Sequence, residues 1–180
     1  MDADAYIMNR RRFLVASGLV ATAAVTGITL RRVTMPTPGV EVIMAELQAM
    51  RIHTITTLSG WSAYTVLSHL AQSIELSMTG YSSLKSPVFR HTAGPMAFFA
   101  FTTAGAMRHP LTEPIPGAPA IAENGDTQAA LERLLVALDT FAAHEGELAP
   151  HFAYGQLSKD EYAQAHTMHI RDHLRLFALA

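Results

Sequence analysis

Apolar residues recur at three- and four-residue spacing in several separate stretches of this chain, the signature of helices that each bury one face. Val40, Ile43, Met44, Leu47 and Met50 carry the spacing first, after Thr37 at a capping position and Pro38 at a first helical position. They predict a helix over residues 38–52. Residues 54–60 are polar and β-branched and read as a connection. Ser62 then caps a second helix. Trp61 before it and Val66 four residues in form a hydrophobic staple, Val66, Leu67, Leu70 and Ile74 supply the apolar face, and Gly80 ends it. His69 and Gln72 fall at the edge of that face.

Residues 81–94 read as a loop. Pro95 opens a third helix carrying Met96, Phe98, Phe99, Phe101 and Met107, although the apolar run 97–103 also fits a buried strand. Pro110, Pro114, Pro116 and Pro119 make residues 109–125 a long extended loop, of a length that in a compact domain is commonly functional or wraps the core. Asp126 caps the fourth helix, whose stripe is Leu131, Leu134, Leu135, Leu138 and Phe141, and which ends near Gly146. After a loop at 148–157, Ser158 and Glu161 form a capping box that opens the fifth helix. It runs to about Phe177, with Arg171 and Arg175 complementing its dipole. Helices of this length, without repeats or hairpin signals, predict an all-α fold, a four-helix bundle with long connecting loops.

The chain has no cysteine, which excludes disulfides, thiolate ligands, iron–sulfur clusters and a cysteine nucleophile. A transition-metal site would have to use His, Asp or Glu. Residues 33–180 carry eight Lys and Arg against thirteen Asp and Glu, so the body is mildly acidic and offers no clustered positive charge for nucleic acid. There is no Gly-x-Ser-x-Gly, phosphate-binding glycine loop or dinucleotide fingerprint, and His144-Glu145 fails as a zinc-protease motif because position 148 is Leu.

Three of the nine histidines lie on the fifth helix. His169 and His173 are about 40° apart around an ideal helix, and His166 is about 20° beyond His173, so all three share a face. A pair four residues apart can hold one metal ion if a further ligand comes from elsewhere. His69, on the apolar second helix, is the candidate. The plain alternative is a polar seam of half-buried histidines bonded to neighbours, and burying them without partners would be costly. His151 sits beside Pro150 and Tyr154 and reads as pinning its loop. His53, His91, His109 and His144 have no companions at ligand spacing and read as surface or structural.

Four stretches together resemble a known family: Trp61 with Val66-Leu67-Ser68-His69-Leu70-Ala71-Gln72; Pro114-Ile115-Pro116-Gly117; Pro150-His151-Phe152-Ala153-Tyr154-Gly155; and His166-Thr167-Met168-His169-Ile170-Arg171-Asp172-His173. They look like domain-of-unknown-function family 1569, which is similar to the DinB/YfiT-like proteins, four-helix bundles regarded as candidate metalloenzymes. Some relatives of that superfamily transfer low-molecular-weight thiols, and others have no assigned activity. In DinB-like bundles one histidine of the second helix and a His-x-x-x-His pair of the last helix bind the metal. The resemblance therefore implies His69, His169 and His173 as ligands of a divalent transition metal, Zn, Ni, Fe or Mn. Three protein ligands leave a position for water or substrate. His166 is the candidate general base. The implied function is that of a metal-dependent hydrolase or transferase with a small-molecule substrate. The alternative is a non-catalytic, metal-stabilised interaction module.

The N-terminus differs from the body. Asn9-Arg10-Arg11-Arg12-Phe13-Leu14 resembles the twin-arginine export signal, and the apolar run that follows is diluted by Ser17, Gly18, Thr22, Thr26 and Gly27. That suits a signal h-region better than a stable membrane span. The alternative is an uncleaved anchor or an unstructured arm. The expected organisation is a signal segment and linker at 1–37 and the bundle at 38–180. The protein would be exported, periplasmic or tethered to the cytoplasmic membrane. It would touch the membrane only through the N-terminal segment, would bind no nucleic acid, and could pair as a homodimer.

Overall fold

The computed structural model describes residues 40–58 and 60–180. The expected signal segment, the Thr37 cap and Pro38 lie outside the described residues. Helix α1 is Glu41–Ala49, which buries Ile43 and Leu47 and tightens into one 3-10 turn at Met50–Ile52. Strand β1 is Ile55–Thr57. Helix α2, Ala63–Thr79, begins where the sequence predicts: the Ser62 side chain accepts the Thr65 N–H at 3.1 Å, and the chain leaves at Gly80 with φ 104°. A short α3, Pro87–His91, is capped by Ser86, and α4 follows as Ala93–Ala104. The stretch from 97 to 103 is thus helical rather than a strand.

In α5, Thr127–Ala143, Asp126 Oδ1 accepts the N–H groups of Gln128 and Ala129 at 2.9 and 3.0 Å. In α6, Lys159–Leu174, the predicted capping box is present: Ser158 Oγ accepts the Glu161 N–H at 3.2 Å, and Glu161 Oε2 accepts the Ser158 N–H at 3.0 Å.

Three expectations are corrected. The last helix stops at Leu174, short of Phe177, because Phe177–Leu179 forms strand β2. The segment expected as a connection supplies its partner. Ile55, Thr56 and Thr57 pair antiparallel with Leu179, Ala178 and Phe177, and the described fold is predominantly helical rather than wholly so. Three-residue strands are too short to show an alternating pattern, and β-branching at 55–57 was the only hint. Finally, the loop expected over 81–94 contains α3.

The described residues form one compact unit. Its core is α2 packed along α5, with α6 against α2 and α1 against α5. The stripes meet there: Leu67, Leu70 and Ile74 of α2, Leu131, Leu134, Leu138 and Phe141 of α5, Tyr162 and Ile170 of α6. No described helix is long and apolar enough to cross a membrane.

The two long loops are strapped back onto this core. Thr65 Oγ1–H is shared by the carbonyls of Ala122 and Glu123, and Gln72 Nε2 donates to the Pro119 carbonyl at 2.9 Å. At 148–157 the straps are the Ala149 N–H on the Ser77 carbonyl and the buried Tyr162 hydroxyl on the Ala149 carbonyl. Gly155 is required here twice over. Its φ is 79°, and a Cβ would stand 2.8 Å from the Arg90 carbonyl oxygen.

Candidate metal centre

The i, i+4 spacing on α6 stacks His169 and His173 on one face, with ring centroids 5.0 Å apart. Because α2 packs against α6, His69 meets both, at 5.2 Å from His169 and 5.3 Å from His173. One ring nitrogen from each of the three lies within 4.8 Å of the others. The Nε2 atoms of His69 and His169 are 3.3 Å apart. Two ligand atoms at about 2.0–2.1 Å from a tetrahedral ion would be about 3.3–3.4 Å apart, so this pair already has ligand spacing.

The rest of each ring fits the same reading. His69 Nδ1 and both nitrogens of His173 are buried without a hydrogen-bond partner. Such orphans are costly in a finished core, and an ion that took one nitrogen of His173 would relieve part of that cost. His169 Nδ1 lies 3.4 Å from Ser73 Oγ, one turn beyond His69 on α2. That contact suits an Nδ1–H donor, which leaves the Nε2 lone pair free toward His69. The Trp61 ring closes over His69 at 5.2 Å.

Electrostatics favour the ligating form. Burial lowers the pKa of His69 to about 4 and that of His173 to about 3, and the neighbouring imidazoles push in the same direction. His169 is lowered too, by burial first and then by His69 and His173. All three are neutral at pH 7, the form that can donate a lone pair to a metal.

His166 lines the same cavity one turn earlier on α6 but points into different company. Its Nε2 is 3.2 Å from Ser77 Oγ, which itself donates to the Ile74 carbonyl at 2.7 Å and so accepts from the ring. Phe141 packs edge-on at 4.9 Å and Tyr162 stacks at 5.4 Å. Burial lowers its pKa to about 3.

His151 pins its loop. Nδ1 accepts the N–H groups of Ala153 and Tyr154, both at 3.1 Å, its backbone pairs with Gly155, and its ring stacks on Tyr154 at 4.2 Å. Of the histidines read as surface or structural, His91 is exposed and His53 and His144 are half-buried. His109 departs from that reading. Its ring lies 4.9 Å from His169 and 5.2 Å from His173, as close as the three candidate ligands lie to one another. Its Nδ1–H donates to Asp172 Oδ2 at 3.0 Å, and its Nε2 is buried and unpartnered. No spacing rule could have found it, because a proline-rich loop carries it to the site from 60 residues upstream.

Asp172 is the fixed point on this side. Its carboxylate is buried and accepts from Arg108 Nη1 at 2.7 Å, from Arg175 Nε at 2.8 Å and from the His109 backbone N–H at 3.3 Å. Burial pushes its pKa up, but the bonds from Arg175 and Arg108, with the interaction with His109, outweigh burial and hold it below the ordinary carboxylate value. Asp172 therefore stays ionised and accepts hydrogen bonds only.

A cavity of about 200 Å³ opens beside the cluster. His69, His109, His166 and His169 line it, with Ser73, His151, Phe152, Tyr154 and Ile115 as further wall and Lys85 and Glu113 among its charged residues. The site thus has three neutral nitrogen donors and a small, partly apolar chamber against them.

Residues 33–179 match the family described as "Protein of unknown function (DUF1569)", and the chain belongs to that family. No curated protein and no solved structure matches the chain.

Proposed function

We propose that this protein is a metal-dependent enzyme acting on a small molecule, a hydrolase or transferase, built on a DinB-like four-helix bundle. His69, His169 and His173 would hold one divalent transition metal, Zn, Ni, Fe or Mn. The observation that carries the reading is the convergence of three neutral imidazoles, two buried and one half-buried, with the 3.3 Å Nε2–Nε2 spacing of His69 and His169 at its centre. When bound, the ion would polarise a substrate or activate water.

The chain's own residues divide the remaining work. Ser73 orients His169. Trp61 shields His69. His151 cannot act through Nδ1, which the Ala153 and Tyr154 N–H groups occupy, so it offers only the remaining edge of its ring to the cavity. For proton transfer the candidate is His166, a cavity residue whose low pKa makes it a weak base at neutral pH and whose bond to Ser77 ties α6 to α2. Access favours an enzyme over a metal-stabilised interaction module, because the cavity reaches His169, which is only half-buried.

The N-terminal Arg10-Arg11 pair and the weakly apolar run after it support export by a twin-arginine route. The separating experiment is anion binding. Titrating azide into cobalt-loaded protein shifts the visible absorption if a coordination position is open. An unchanged spectrum means a closed centre and supports the stabilising role instead.

A further inference from the structure

We propose that His109 is a further ligand of the metal centre, drawn in by the proline-rich loop and held in ligating form by Asp172. The inference rests on the reading of His69, His169 and His173 as a metal site, and it goes beyond that set. Four observations support it.

The His109 ring is packed against His169 and His173 at 4.9 and 5.2 Å, as close as the 5.0–5.3 Å that separate the three candidate ligands among themselves. Its Nδ1–H is committed to the buried Asp172 carboxylate, so the lone pair must be on Nε2. A carboxylate behind a histidine is the usual outer support of a metal-ligating imidazole, fixing the tautomer and raising its basicity. Nε2 itself is buried with no hydrogen-bond partner, a cost that coordination removes. Lastly, the loop is tethered to α6 at this point: the Arg108 side chain and the His109 backbone N–H both bond Asp172, the residue next to His173.

His109 does not share the mutual 4.8 Å spacing of the other three. Coordination therefore requires the His109 ring to settle inward by a small movement about its bond to the fixed Asp172 carboxylate. Loading would then fasten residues 107–121 over the cavity. Four imidazoles plus a substrate position make a five-coordinate centre. A four-coordinate ion would be filled by the imidazoles alone, so a substrate position would need an ion that takes a fifth ligand.

The test uses the full chain loaded with zinc, cobalt or nickel alone. X-ray absorption of the nickel-loaded wild type should count four imidazoles, and His109→Ala should count three. Zinc affinity, measured by competition with a chromophoric chelator, should fall at least tenfold in His109→Ala and be unchanged in His53→Ala. Three imidazoles in the wild type, with zinc affinity of His109→Ala within threefold, would overturn the proposal while leaving the three-histidine site standing. Failure of the wild type to take up any metal would overturn both. If His109→Ala does not fold, the imidazole count of the wild type decides alone.

Discussion

The Nε2 atoms of His69 and His169 face each other at 3.3 Å across a separation of one hundred residues. Neither helix needs this contact to pack, since α2 and α6 already have apolar partners in Leu67, Leu70, Tyr162 and Ile170. At that distance the pair is either an N–H···N hydrogen bond between two neutral tautomers or two lone pairs turned toward one cation. Neutral rings allow both, and the convergence of His173 on the same point favours the metal ion.

Ser73 tests how well that arrangement is supported. Its hydroxyl faces His169 Nδ1 at 3.4 Å. Ser73→Ala frees the ring to turn and should lower metal affinity by about 10–100-fold, the effect expected of a lost outer partner. Competition titration with a chelator measures it. An unaltered affinity means that packing alone orients His169.

The capping box of α6 sets the start of the helix that carries the ligand pair. Ser158→Ala removes the acceptor of the Glu161 N–H and should cost about 0.5–2 kcal/mol, read as a shift in denaturant midpoint. A zero shift would mean that the reciprocal bond from Ser158 N–H to Glu161 is sufficient by itself.

Acid should destabilise the fold partly through His151. Burial lowers its pKa from the ordinary 6.5 to about 3, with His166 adding to the effect. Between those values the unfolded chain binds a proton that the folded chain does not. The stabilising contribution is therefore complete above pH 6.5 and is lost as pH falls toward 3, at up to about 1.4 kcal/mol per pH unit. His151→Asn keeps a side-chain acceptor for the Ala153 and Tyr154 N–H groups but does not titrate. Stability measured against pH should flatten below 6.5 in that variant. An identical acid slope in variant and wild type would assign the effect to other groups.

The proposed export would depend on Arg10 and Arg11. Lys at both positions should hold the protein in the cytoplasm without altering its folding, as seen by cell fractionation. Undiminished export of the Lys-Lys variant would remove the twin-arginine assignment.

Most of the helical core was legible because its stripes are long. Ser62, Asp126 and Ser158 cap where the sequence places them, and Leu131, Leu134, Leu135, Leu138 and Phe141 face inward. His169 and His173 were legible because helical periodicity alone puts them together, and His69 because it sits on an apolar helix. The short strands were not legible. Three residues at 55–57 and three at 177–179 carry no periodicity, and their pairing depends on where α6 stops. His109 was hidden for a related reason. A proline-rich loop has no repeating geometry, so nothing local shows that Arg108 and His109 end on Asp172. Ser73 could have been found, since it lies four residues after His69 on the same helical face.

The most direct measurement is elemental analysis of the purified full-length protein alongside His69→Ala, His169→Ala and His173→Ala. One transition-metal ion per wild-type chain, with most of it lost in each single variant, is the predicted result, because two imidazoles alone hold an ion weakly. A wild type that binds no metal after reconstitution, or three variants that retain it in full, would contradict the metal centre and leave the cluster a polar seam between α2 and α6.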